Sequence, residues 1–197
     1  MRLPLAAALV AAVLTLSACD DVPEPGRSNV DVGTPELVKA KERTDVADCV
    51  PGDATDGGLP AVTLPCLGGG PDVDLSTLEG PMVINLWASW CGPCRKEMPA
   101  LQEFHEQYGD QVPVLGIDYQ DQQPAAALDL ARTTGVTYPL LADPGGDLNA
   151  QDPLPVIRGL PHLVFLAEDG EVAFVTQSVD SADELADLVA EHLGIDL

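Results

Sequence analysis

The stretch MVINLWASWCGPCRKEMPALQEFHEQY, residues 82–108, changes its period once and abruptly. Met82 to Ala88 is nearly continuously apolar, the pattern of a strand covered on both faces in the middle of a sheet. From Met98 onward the apolar residues Met98, Leu101, Phe104 and Tyr108 recur at helical spacing. Pro99 falls early in that helix, where it removes a backbone donor and favours a kink. A strand that passes directly into a helix points to an α/β architecture, and Cys91 and Cys94 stand at the handover.

That position matters chemically. Unpaired N–H groups and the helix dipole at a helix start favour a thiolate on Cys91. Cys94, one turn further in, is shielded and attacks only after Cys91 has formed a mixed disulfide. Pro93 stiffens the turn, and Trp90 packs beside the pair and limits its access. Arg95 and Lys96 bring positive charge nearby and are equally readable as surface residues.

A C-x-x-C pair also serves as half of a metal site or as a structural staple. A structural zinc needs about four Cys or His ligands, usually in two close pairs. This chain has no second C-x-x-C, and its three histidines are His105, His162 and His192. His105 and His192 take ordinary helix positions. His162 follows Pro161 and leaves a copper-handling or substrate-binding protein, with the same cysteines as ligands, as the alternative. A peroxidase pattern P-x-x-x-T-x-x-C is missing, because residues 84–91 read INLWASWC.

The remaining elements follow from turn residues and periodicity. Ala61 to Leu67 and Val73 to Leu75 read as a hairpin around Gly68-Gly69-Gly70-Pro71. Val112 to Tyr119 is a second apolar strand. Pro124 opens a helix that Gly135 closes. Pro161 to Ala167 and Val172 to Gln177 flank the turn Glu168-Asp169-Gly170, an antiparallel hairpin. Ser181 with Glu184 three residues on is a capping-box start for a last helix carrying Leu185, Leu188, Val189 and His192. This order, parallel first and antiparallel later, around a C-x-x-C, describes a thioredoxin-like fold.

At the other end, residues 1–18 read as a signal peptide, with Arg2 before an apolar run too short to span a bilayer. Leu16-Ser17-Ala18-Cys19 resembles the bacterial lipobox, which makes Cys19 the lipidated residue. Residues 19–48, rich in Pro, Asp, Glu and Gly, read as a flexible tether in which Glu36 to Arg43 forms no more than a passing helical turn. Residues 49–197 then form the domain. With Cys19 assigned and Cys91 and Cys94 too close for separate bridges, Cys49 is left to pair with Cys66. Closing the loop between them stabilises by about 3 kcal/mol in the chain-entropy model; a second redox pair is the competing reading. The chain carries 9 Lys and Arg against 32 Asp and Glu, a net charge of −23. Such a surface repels phosphate backbones and excludes nucleic acid as a partner.

Trp90-Cys91-Gly92-Pro93-Cys94 after Asn85-Leu86-Trp87-Ala88, with Gly159-Leu160-Pro161 before a strand, resembles the membrane-anchored thioredoxin-like proteins of the TlpA/ResA type. The resemblance implies a mixed central sheet flanked by helices, with an N-terminal β-hairpin and a central strand–helix insertion over Val112 to Gly135. It implies that Pro161 follows a cis bond and faces the cysteines, and that the Leu160 backbone pairs with a substrate peptide. Cytosolic thioredoxins carry an aspartate six residues before the first cysteine, where this chain has Asn85. The resemblance moves the proton acceptor for Cys94 to an acid after the second strand, Asp121, with Asp118 close by. The activity implied is thiol–disulfide exchange on protein substrates, run as a reductase fed by a membrane electron donor, with cytochrome c maturation as one role. It needs no bound cofactor or metal, and implies a lipid-anchored monomer on the extracytoplasmic face of the bacterial membrane.

Overall fold

The computed structural model describes residues 28–197. The expectations of a signal peptide over residues 1–18 and of lipidation at Cys19 fall outside these residues. Five strands form the central sheet: β3 (Met82–Trp87), β4 (Val114–Tyr119), β5 (Leu140–Asp143), β6 (His162–Leu166) and β7 (Val172–Val175). Their order across the sheet is β5-β4-β3-β6-β7. β3, β4 and β5 run parallel, whereas β6 and β7 pair antiparallel to their neighbours. β3 is the central strand, consistent with its unbroken apolar run.

The pleat sends alternate β3 residues to opposite faces. Val83 and Trp87 join a core with α2 (Gly92–Tyr108), α3 (Pro124–Thr134) and α4 (Ala182–Leu193). Ile84 and Leu86 join a second core beneath the hairpin formed by β1 (Thr63–Leu64) and β2 (Val73–Asp74). Right-handed crossovers that step twice in one direction put both connecting helices on one face, which is where α2 and α3 lie. Gly135 ends α3 at φ 75°, a conformation that suits glycine. Ser181 caps α4, its Oγ accepting from Glu184 N at 3.1 Å. α2 continues through Pro99 as one helix.

Three expectations need correction. Residues 28–48 are not a free tether, because Val32, Leu37 and Val46 are buried in the helical-side core. A short helix, α1 (Pro35–Lys41), is capped by Thr34 and packs beside α3. Backbone bonds from Ala47 N to Thr137 O and from Gly68 N to Val32 O fix the segment at the sheet edge. These apolar residues are buried singly beside existing elements, so no periodicity announces them. Second, β1 is only two residues long, because Pro65 has no N–H for the ladder and residues 65–67 bond to β5 instead, from Leu67 N to Leu140 O and from Ala142 N to Pro65 O. Third, β5 is an additional edge strand, a short apolar run directly after Pro139.

Candidate redox centre

Cys91 is the N-cap of α2, in extended conformation, with its Sγ accepting from the Cys94 N–H at 3.2 Å. Cys91 and Cys94 are joined as a disulfide with Cα atoms 5.3 Å apart. Cys91 is 4% exposed and Cys94 fully buried, so Cys91 is the sulfur a partner reaches first. Trp90 stands out at 53% exposure, with its Nε1 donating to the Gln120 carbonyl at 3.4 Å. Trp90 thus presents an exposed apolar surface directly before the disulfide in the chain.

The loop ahead of Cys91 is held from two sides. Asp121 Oδ2 accepts from the Ser89 N–H at 2.7 Å, and the Ser89 carbonyl accepts from Arg95 Nε at 2.7 Å. The other Asp121 oxygen, Oδ1, accepts from the Gln123 N–H at 2.8 Å. Both carboxylate oxygens of Asp121 are therefore committed to backbone donors, an anchoring arrangement. Asp118, opposite Trp87 in the parallel register, is also buried. Burial, and then the neighbouring Asp121, push its carboxyl well above the usual carboxylate range.

Beneath the cysteines, a carboxyl that the sequence reading passed over takes the more telling position. Glu97 lies one turn beyond Cys94, on the buried stripe that continues through Met98 and Leu101. It is fully buried, and burial pushes its pKa up to about 8, with Ser178, Val179 and Asn85 partly opposing the rise. Those three approach without reaching hydrogen-bond geometry, and neither Glu97 oxygen has a partner among the described residues. The signal was available: an acid in the middle of an otherwise apolar helix stripe. Asn85 and Tyr138 complete this pocket, each fully buried with polar atoms unpartnered. Burial and then Glu97 raise the Tyr138 phenol. A neutral Asn85 spares Glu97 the repulsion a second carboxylate would bring.

The Leu160–Pro161 bond is cis, and half-buried Leu160 packs against the core that includes Cys91 and Cys94. His162 turns to the other face of the sheet. It stacks on Phe174 with ring centroids 4.5 Å apart, and burial lowers its pKa. Among the described residues no group of three His, Cys, Asp or Glu side chains is placed to hold a metal ion. Cys49 and Cys66 are joined by a disulfide, with Cα atoms 5.9 Å apart.

The model of the AhpC/TSA family matches residues 57–175. The thiol-disulfide oxidoreductase ResA of Oceanobacillus iheyensis is 29% identical over 117 residues, which are 57% of this chain and 58% of that protein. The chain spans about half to three-fifths of the length of several such relatives. The structure of MTB DsbF in its mixed oxidized and reduced forms superposes with a TM-score of 0.60 at 26% identity, covering 70% of this chain and 98% of that one. A secreted Mycobacterium tuberculosis disulfide oxidoreductase homologous to E. coli DsbE superposes at 0.56, also 26% identical, over 66% of this chain and 96% of that one.

Proposed function

Since the chain belongs to the AhpC/TSA family, in its thioredoxin-like form, we propose that it is an extracytoplasmic thiol–disulfide oxidoreductase that reduces protein disulfides. One observation carries the reading: the disulfide Cys91–Cys94 has one sulfur capping a helix and the other buried one turn from Glu97, a buried carboxyl with no hydrogen-bond partner among the described residues. In the reduced form the helix start favours the Cys91 thiolate, which attacks a substrate disulfide. Glu97 in its carboxylate form takes the Cys94 proton, and the Cys94 thiolate then displaces the substrate from Cys91. In the reverse reaction a donor thiolate attacks Cys91, and neutral Glu97 returns the proton to Cys94. The Leu160–Pro161 turn and Trp90 flank the peptide that presents the disulfide. A lipid on Cys19 holds the domain at the membrane, within reach of a thiol-reducing membrane protein. Apocytochrome c, whose haem-binding cysteines must stay reduced, is the substrate class proposed.

A Cys94→Ser variant leaves Cys91 unable to be resolved. It is expected to accumulate partners as DTT-reducible adducts on Cys91. Absence of such adducts, together with stoichiometric copper binding by the unaltered protein, would refute the exchange reading. The direction is tested by the reduction potential of the pair. A value near that of strong oxidants, about −120 mV, overturns the reductase assignment, whereas one near the thioredoxin range, about −270 mV, supports it.

A further inference from the structure

The other disulfide has its two sulfurs in surroundings of opposite polarity. Cys49 Sγ lies 3.3 Å from the Leu140 carbonyl oxygen, which disfavours negative charge there. Cys66 Sγ lies 3.4 Å from Lys41 Nζ, which favours it. The remaining Lys41 donors reach Asp48 Oδ1 at 3.1 Å and the Gly69 carbonyl at 3.2 Å.

Lys41 is only 8% exposed, so its charge acts on Cys66 through little water. Lysines are seldom buried without a paired charge. The acid in reach, Asp48, has a side chain 88% exposed and can meet a lysine in solvent just as well. The sulfur and the Gly69 carbonyl are what hold the ammonium inside. Cys49 also lines an apolar cavity of about 170 Å³, with Val50, Leu78 and Met82 in its walls. Neither Cys66 nor Lys41 lines that cavity.

We propose that Cys49–Cys66 is a second exchangeable disulfide, in which an incoming thiolate adds to Cys49 Sγ and Cys66 leaves as a thiolate beside Lys41. The fitting reductant is a dithiol whose attacking cysteine is flanked by apolar groups. Its first sulfur forms a mixed disulfide with Cys49 as the S–S bond to Cys66 breaks. Its second thiol loses a proton and displaces Cys49, which takes up a proton and faces the Leu140 carbonyl as a donor. The dithiol is oxidised by two electrons, and Cys49 and Cys66 are reduced by two. Reduction removes the covalent tie between the 28–48 segment and the edge of the sheet, where Cys66 bridges to Leu141.

The test uses the full chain with Cys91→Ala and Cys94→Ala, so that only this disulfide reacts. DTT reduction is followed by quenched alkylation and mass measurement, with circular dichroism reporting the fold. Reduction should proceed in the folded protein and slow about tenfold in Lys41→Met. Lys41→Arg should keep most of the rate. Asp48→Asn, which leaves the ammonium to the sulfur, should raise it. With glutathione as probe, the mixed disulfide should sit on Cys49. Glutathione found on Cys66 overturns the proposal. So does a rate that tracks global unfolding in urea and ignores both Lys41→Arg and Asp48→Asn, which keeps the test decisive even if Lys41→Met does not fold.

Discussion

The two disulfides make the same bond within one domain and differ in everything around it. Cys49–Cys66 joins residues 17 apart in sequence, and Cys91–Cys94 joins residues three apart. Loop-closure entropy grows with the span, so the first bond restricts the unfolded chain far more than the second. Opening Cys91–Cys94 therefore costs the fold little, which allows a pair to cycle through every turnover without unfolding. Positive potential reaches one sulfur in each pair: at Cys91 from the start of a helix, at Cys66 from one buried lysine. What separates them most is proton supply. Glu97 stands one turn from Cys94, whereas Cys49 faces only a carbonyl that accepts. These surroundings fit fast exchange at the first pair and slow exchange at the second.

Removing the sulfurs gives the largest separation. Cys91→Ser should reduce protein-disulfide turnover to the uncatalysed rate while leaving the melting temperature nearly unchanged. Replacing Cys49 and Cys66 with alanine together should do the reverse, lowering stability by about 3 kcal/mol with turnover within about twofold. Urea unfolding and an insulin-type reduction assay measure the two quantities on the same samples. Loss of turnover in the Cys49/Cys66 variant would erase the division.

Glu97→Gln comes next in size. It removes the proton carrier, and turnover at pH 8 should fall by about a hundredfold, with loss of the limb that rises through pH 8. Stability should move the other way. Between pH 4.5 and 8 the unfolded chain has released the Glu97 proton while the folded chain retains it, so stability falls as pH rises across that window. Glutamine escapes this penalty and should gain on the order of a few kcal/mol at pH 8 and nothing near pH 4. Thermal melts at both pH values check the sign. A variant that loses stability at pH 8 would mean that the carboxylate is held by partners, not strained by burial.

Much of this contrast was readable from residues 82–108, because a fully apolar strand followed by helical spacing leaves few ways to place Cys91 and Cys94. The parallel half, the β6–β7 hairpin and the capped last helix follow from equally local signals. Glu97 is legible as an acid four residues before Leu101 on the apolar stripe, but its lack of a partner is set by Asn85, Tyr138 and Val179, which are distant in sequence. The same holds for Lys41 and the packed 28–48 segment. Their burial is set by contacts with Gly69, Cys66 and Thr137, distant in sequence and marked by no periodic pattern. β5, four residues long like β7, has no partner strand across a tight turn such as the one that marks β7, and its apolar run does not alternate.

Asp121 supplies the smallest effect and the finest distinction between anchoring a redox pair and serving it with protons. Its two oxygens hold the Ser89 and Gln123 N–H groups, so Asp121→Ala strands two backbone donors and should cost about 2 kcal/mol. With Ser89 loosened, Cys91 loses some of its fixed position, and turnover should fall severalfold by about the same factor at every pH. Asp121→Asn keeps one acceptor for one of the two donors and should recover part of both losses. A proton carrier behaves otherwise: its removal would reshape the pH–rate profile, and asparagine would be as damaging as alanine. A profile that keeps the Glu97 limb near pH 8 in both variants makes Asp121 the residue that positions Cys91 and leaves proton transfer to Glu97.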